Sequence, residues 1–141
     1  MSSIIQDLKA TLIDTAKIRL TDIPKANFHL DLIKGEYERP FFEIIFNQRV
    51  KASKGFLGTV LYDYAFTITI GNKVDDDDPI ETRSRQIETL FSEGETINFS
   101  HFDEQKKFSR VGLIRVITFK VQEGGKDRQG NKIKAELVVR F

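Results

Sequence analysis

The sequence predicts an α+β fold: a mixed, largely antiparallel sheet with two helices packed on it and a long C-terminal β-hairpin. Three observations carry that prediction. In Val60, Tyr62, Tyr64, Phe66, Ile68 and Ile70 every second residue is apolar, the period of a strand with one buried face. Asp78, Pro79 and Glu81 supply an N-cap, a first helical residue and a capping-box partner. Behind them Ile80, Ser84, Ile87, Leu90 and Phe91 form an inner stripe, and Gly94 can end the helix. Finally, two alternating apolar runs between residues 111 and 141 flank a glycine-bearing segment, which is a hairpin signal.

The elements follow in order. Ser3 and Gln6 can form a capping box, and Ile4, Ile5, Leu8, Leu12, Ile13 and Ala16 make one stripe, so a helix is expected over 3–18. Phe28, Leu30 and Leu32 alternate with His29 and Asp31 as a short strand, and residues 35–40 read as a turn. Residues 41–46 are aromatic and apolar with only Glu43 interrupting, which predicts a central strand covered on both faces. Residues 47–58 are polar, basic and longer than a hairpin turn needs. They predict a mobile loop or an extended hairpin tip. After the strand over 59–70 and the helix over 79–93, a strand is expected over 96–102 and a turn over 103–107. Val111, Leu113, Ile117, Phe119 and Val121 share a face, with Arg115 the exception. Ile133, Ala135, Leu137, Val139 and Phe141 share a face of the last strand, and residues 122–131 are expected to be a long, wet tip. The order is helix, three strands, helix, three strands, in one domain over 1–141. Burying roughly five apolar side chains of the second helix would contribute on the order of 10 kcal/mol before entropy.

Composition narrows the chemistry. With 40% apolar and 30% charged residues the chain suits a soluble folded protein, and its twelve phenylalanines can fill a core. A formal net charge of +1 argues neither for nor against nucleic acid. The absence of cysteine removes disulfides, thiolate metal sites and cysteine nucleophiles, and leans toward a reducing compartment. Residues 1–20 do not read as a signal peptide, and no apolar run is long enough to cross a bilayer.

No motif points to catalysis or to a cofactor. Asp75 to Asp78 could offer oxygens to a hard cation, but the calcium-loop pattern is absent, and a solvated turn that caps a helix accounts for them. No metal site is therefore expected. His29 and His101 lack the partners of a triad, because Ser100, His101 and Asp103 are adjacent in sequence only. There is no phosphate loop, dinucleotide fingerprint or zinc-helix motif. Glu43 could pair with a basic residue across a subunit contact or face water on a half-exposed sheet. Phe56 and Leu57 could be a sticky partner surface or a loop anchor. Arg49, Lys51 and Lys54 read first as a solvated loop, next as a partner-contacting loop, and last as a nucleic-acid site, since stacking aromatics are scarce around them.

Several phrases resemble the tail-terminator (tail-completion) proteins of long-tailed bacteriophages. They are the Arg39–Pro40 pair with the apolar strand to Phe46, the strand from Leu61 to Ile68, the acidic-capped helix after it, and the run from Gly112 to Phe119. The likeness is one of layout over residues 1–121, and the segment 122–141 looks like an addition beyond the family's final strand. The resemblance implies a structural virion protein with no enzymatic activity, made in the host cytoplasm. Copies would close into a ring, sixfold in number, that caps the head-proximal end of the tail tube and joins the head connector. Its partners would be itself, the tube and the connector, with no membrane and no specific nucleic acid, although DNA can pass through the ring. The expected contacts are Arg49, Lys51, Lys54, Phe56 and Leu57, the acidic Asp75, Asp76 and Asp77, and Lys126 and Arg128 at the late tip. Another neck or head-completion protein, or a small protein-binding adaptor, are the alternatives.

Overall fold

Leu8, Leu12, Ile13 and Ala16 recur at helical spacing and are all buried, which is why α1 forms over Ile4–Arg19 and why it docks. Ile4 and Ile5 pack at its rim, and Lys17 and Arg19 sit in the last turn, where cations suit the helix dipole. The computed structural model describes residues 4–30, 38–54, 60–72, 85–103, 108–127 and 130–141, so the expected cap at Ser3 lies outside the described residues. Lys9 is also buried on α1, its Nζ donating to the Leu30 carbonyl at 3.1 Å.

The chain continues through a 3-10 turn, Lys25–Asn27, into β1 (Phe28–His29), β2 (Phe41–Lys54) and β3 (Val60–Gly71). Residues 85–88 are helical (α2), followed by β4 (Thr96–Asp103), β5 (Phe108–Asp127) and β6 (Gly130–Arg140). The protein is thus α+β and mostly sheet. One six-stranded sheet runs β1-β2-β3-β6-β5-β4. Among the described residues only the short β1–β2 pair is parallel.

β6 lies inside the sheet. It pairs with β3 on one side and β5 on the other, so it joins the two halves of the sheet. Its inner residues Ile133, Ala135, Leu137 and Val139 are buried, and Phe141 packs against them, as the alternation predicts. They meet Tyr64, Phe66, Ile68 and Ile70 of β3, also buried. α1 lies closest to β2 and β4, strands near opposite margins of the sheet. A flat sheet would bring its middle strands nearest the helix, so the sheet curls around α1. Phe91 after α2 meets Phe119 edge-on at 5.5 Å, closing the core from the β5 side.

Three expectations about strands change. β2 is not central: among the described residues β1 covers only Phe42 and Glu43, and the remainder of β2 is an edge. It also runs to Lys54, paired with β3, which agrees with the extended hairpin of the two readings for 47–58, residues 55–59 lying outside the described residues. The long wet tip near 122–131 is likewise strand on both sides, with Asp127 in register with Gly130. The β5 alternation fails because of a bulge between Val116 and Thr118. Before it Ile114 and Val116 are buried while Leu113 is 56% exposed; after it Phe119 and Val121 pack on the core. One extra residue exchanges the two faces of the strand.

The second helix ends earlier than the expected Glu93. Its last bonds run from Thr89 N–H to Arg85 and from Leu90 N–H to Ile87. Gly94 belongs to the next turn, with φ +86°, and Glu95 N–H closes that turn on the Ser92 carbonyl. Ile87, Leu90 and Phe91 are buried as the stripe predicts, and Ile80 and Ser84 lie outside the described residues.

Candidate assembly surface

From Gln48 and Ala65 to Lys54 and Val60, β2 and β3 form an arm whose inner part still lies against the end of β6, Tyr64 with Val139 and Asp63 with Arg140. Phe141 exchanges backbone bonds with Tyr62 (3.1 and 3.0 Å), and the arm extends past that pair. Its charge pattern depends on two irregularities in β2, between Phe46 and Gln48 and between Lys51 and Ser53. Phe42, Ile44 and Phe46 lie opposite Ile70, Ile68 and Phe66 on the core face. The first bulge then sets Arg49 opposite Tyr64 and Lys51 opposite Tyr62, and the second sets Lys54 opposite Val60. All three basic positions therefore fall on the face that carries the core lower down. Arg49 and Lys51 are exposed, and the Arg49 guanidinium stacks 4.5 Å from the Tyr62 ring centroid.

The opposite face of the arm carries Val50, 51% exposed, in register with Asp63. Asp63 holds Arg140 in a two-pronged contact, Nε to Oδ1 at 2.8 Å and Nη2 to Oδ2 at 3.2 Å. That contact ties the arm's base to β6 and favours the charged guanidinium. Sequence reasoning missed Tyr62, Asp63 and Arg140 as parts of this surface. Their relation is cross-strand, and no local spacing reports it.

The other margin of the sheet is β4. The stretch 91–103 contains Glu93, Glu95 and Asp103 and neither Lys nor Arg. Glu95 is engaged from within: its carboxylate accepts from Arg19 Nη1 and Nη2 at 2.8 and 3.0 Å and from Ser92 N–H at 2.9 Å. The hydrogen bond from Arg19 is the main reason its carboxyl lies below the usual range. Arg19 also donates to the Leu90 carbonyl, which pins the end of α1 to the end of α2.

Glu43 lies elsewhere and faces neither water nor an open arm. It is 7% exposed, in register with His29 of β1 and Thr69 of β3. Burial lowers the His29 pKa, with the Glu43 charge pulling the other way. Nearby, Asn27 Nδ2 donates to the Pro40 carbonyl at 2.9 Å and Arg39 Nη1 to the Asn72 carbonyl at 3.1 Å. These groups secure the segment that feeds β2, a structural task.

The expected contact residues fall at two ends of the sheet. Arg49, Lys51 and Lys54 share the arm. Lys126, in register with Asn131, lies at the far end, where Gly71 pairs with Lys132. Phe56, Leu57, Asp75, Asp76, Asp77 and Arg128 lie outside the described residues. Among the described residues no group of three or more His, Cys, Asp or Glu could hold a metal ion. No described helix is long and apolar enough to cross a membrane. Comparison with known proteins finds no matching family model and no matching curated protein.

Proposed function

We propose that this protein is a structural subunit that assembles head-to-tail into a closed ring, and that the ring is a tail terminator of a bacteriophage or phage-like tail. In that role it caps the head-proximal end of the tail tube, joins the head connector, and performs no catalysis. One observation carries the ring reading: the described sheet has two unlike open margins, β2 with Arg49, Lys51 and Lys54, and β4, whose strand holds Asp103 and neither Lys nor Arg. A subunit with two different complementary patches repeats in one direction and closes when the rotation allows. The basic residues of β2 and Asp103 of β4 favour one orientation and oppose β2–β2 pairing. The tail assignment rests on the element order and on the phrases from Arg39 to Phe46 and from Gly112 to Phe119.

Light scattering over a range of protein concentration and salt tests the reading, with negative-stain imaging of the same samples. The expected result is a closed species near six copies, seen as rings. A monomer under every condition overturns the ring. The open β2 edge then favours the second reading, an adaptor that adds a strand to a partner's sheet.

A further inference from the structure

We infer that the ring contact is a parallel β-pairing, in which β4 of one copy lies along the edge of β2 that is open among the described residues, from Ile44 to Lys54, in the next. This rests on the ring reading and specifies its interface. Strand direction is the first argument. From β2 through β3, β6 and β5 to β4 every step is antiparallel, and there are four of them. β4 therefore runs the same way as β2. In a ring whose sheet continues from copy to copy, neighbouring copies keep one strand sense, so β4 must meet the next β2 in parallel. Antiparallel pairing of like edges would instead make a two-fold dimer, which does not propagate.

The β2 edge is already used in that sense. Among the described residues β1 pairs with it in parallel, at Phe42 and Glu43. An incoming β4 would continue the line that β1 begins. Charge is the second argument. β4 has 8 residues and ends at Asp103. In every register that keeps it within Ile44–Lys54, the parallel arrangement brings Asp103 alongside residues 51–54, where Lys51 and Lys54 stand. The antiparallel arrangement would set it against residues 44–47, which carry no charge.

Like charge opposes the competing β2–β2 dimer, in which Arg49, Lys51 and Lys54 would face their own copies. On β4, Val116 of β5 donates to the Glu95 carbonyl and accepts from Gly94 N–H. The alternation that follows directs the backbone groups of Asn98 and Ser100 outward. Both residues are exposed.

Because the natural chain has no cysteine, disulfide trapping reads this contact directly. Asp103→Cys is mixed with Lys51→Cys or Lys54→Cys, each purified alone, under mild oxidation. A mixed dimer with one of the two lysine positions is expected, and that position fixes the register. Chains carrying both cysteines should form a covalent ladder that ends at the ring. Rings without a mixed disulfide at either position overturn the edge contact and leave the ring standing. Homodimers of the lysine-position variants as the main product overturn it in favour of a two-fold contact. A monomer with no cross-link overturns the contact and the ring together. A second variant, Ser100→Pro, removes an outward N–H and spares the β4–β5 ladder. It should keep its circular dichroism spectrum and weaken assembly by about tenfold or more. A folded Ser100→Pro protein that assembles as well as the natural chain overturns the proposal.

Discussion

Gly71 shows how tightly one residue can be specified. A Cβ at this position would run into the ring of Phe41, its partner across β2 and β3. Gly71→Ala should therefore destabilise the protein by about 1–3 kcal/mol, the usual cost of overpacking. Urea unfolding should show Phe41→Leu recovering part of that loss in the double variant. His29 supplies a pH dependence at the same scale. Burial holds its folded pKa below the unfolded value, so the unfolded chain takes up the proton first. The stability it contributes is whole above about pH 6.5 and drains away as the pH falls below that. In thermal melts, His29→Gln should flatten the fall in Tm on that acid side, whereas His101→Gln gives the control for the other histidine. An undiminished slope in His29→Gln would show that other groups cause it.

Among the elements, β6 and β4 make a useful contrast. β6 is paired on both sides, with Ala135 opposite Ile68 on one and Val121 on the other. A proline there breaks a ladder inside the sheet and separates its two halves. Ala135→Pro should cost about 3 kcal/mol or more and leave little folded protein, in contrast to Ser100→Pro on the margin. The described end of α2 is anchored by Ile87, which is fully buried. Ile87→Asp would bury an unpaired carboxylate and is expected to remove upwards of about 4 kcal/mol. Chemical denaturation would refute this if the variant unfolded at the natural midpoint. The strands also show where periodicity stops being informative. The β3 alternation from Tyr62 to Ile70 and the β6 alternation from Ile133 to Phe141 read correctly from the chain. The β5 alternation did not, because the bulge after Val116 inverts the faces and nothing in the run from Val111 to Val121 announces it.

For the whole molecule, the arm and the β4 margin are the parts that a second copy would read. Lys51→Glu with Lys54→Glu reverses the charge of the arm while leaving the buried core of β3 untouched. The double variant should remain a folded monomer by circular dichroism and fail to form rings by light scattering. Rising salt should weaken assembly of the natural protein in the same direction, since exposed charges are screened over about 10 Å at 0.1 M. Ring formation by the double variant equal to that of the natural chain would remove the basic arm from the interface.

The chain alone settled what local physics can settle. The apolar stripe of α1, the buried Ile87, Leu90 and Phe91 of the second helix's stripe, and the period-two runs of β3 and β6 all follow from side chains a few residues apart. They were enough for the fold class and for the order of elements. Tertiary structure decided the rest. It placed β6 between β3 and β5, made β2 an edge, buried Glu43 beside His29, and joined Asp63 to Arg140. It also gathered Arg49, Lys51 and Lys54 onto one face through two bulges. Each of these is a relation between residues distant in sequence, or a one-residue shift in register, fixed by pairing energies between strands. Such terms exist only once the strands meet.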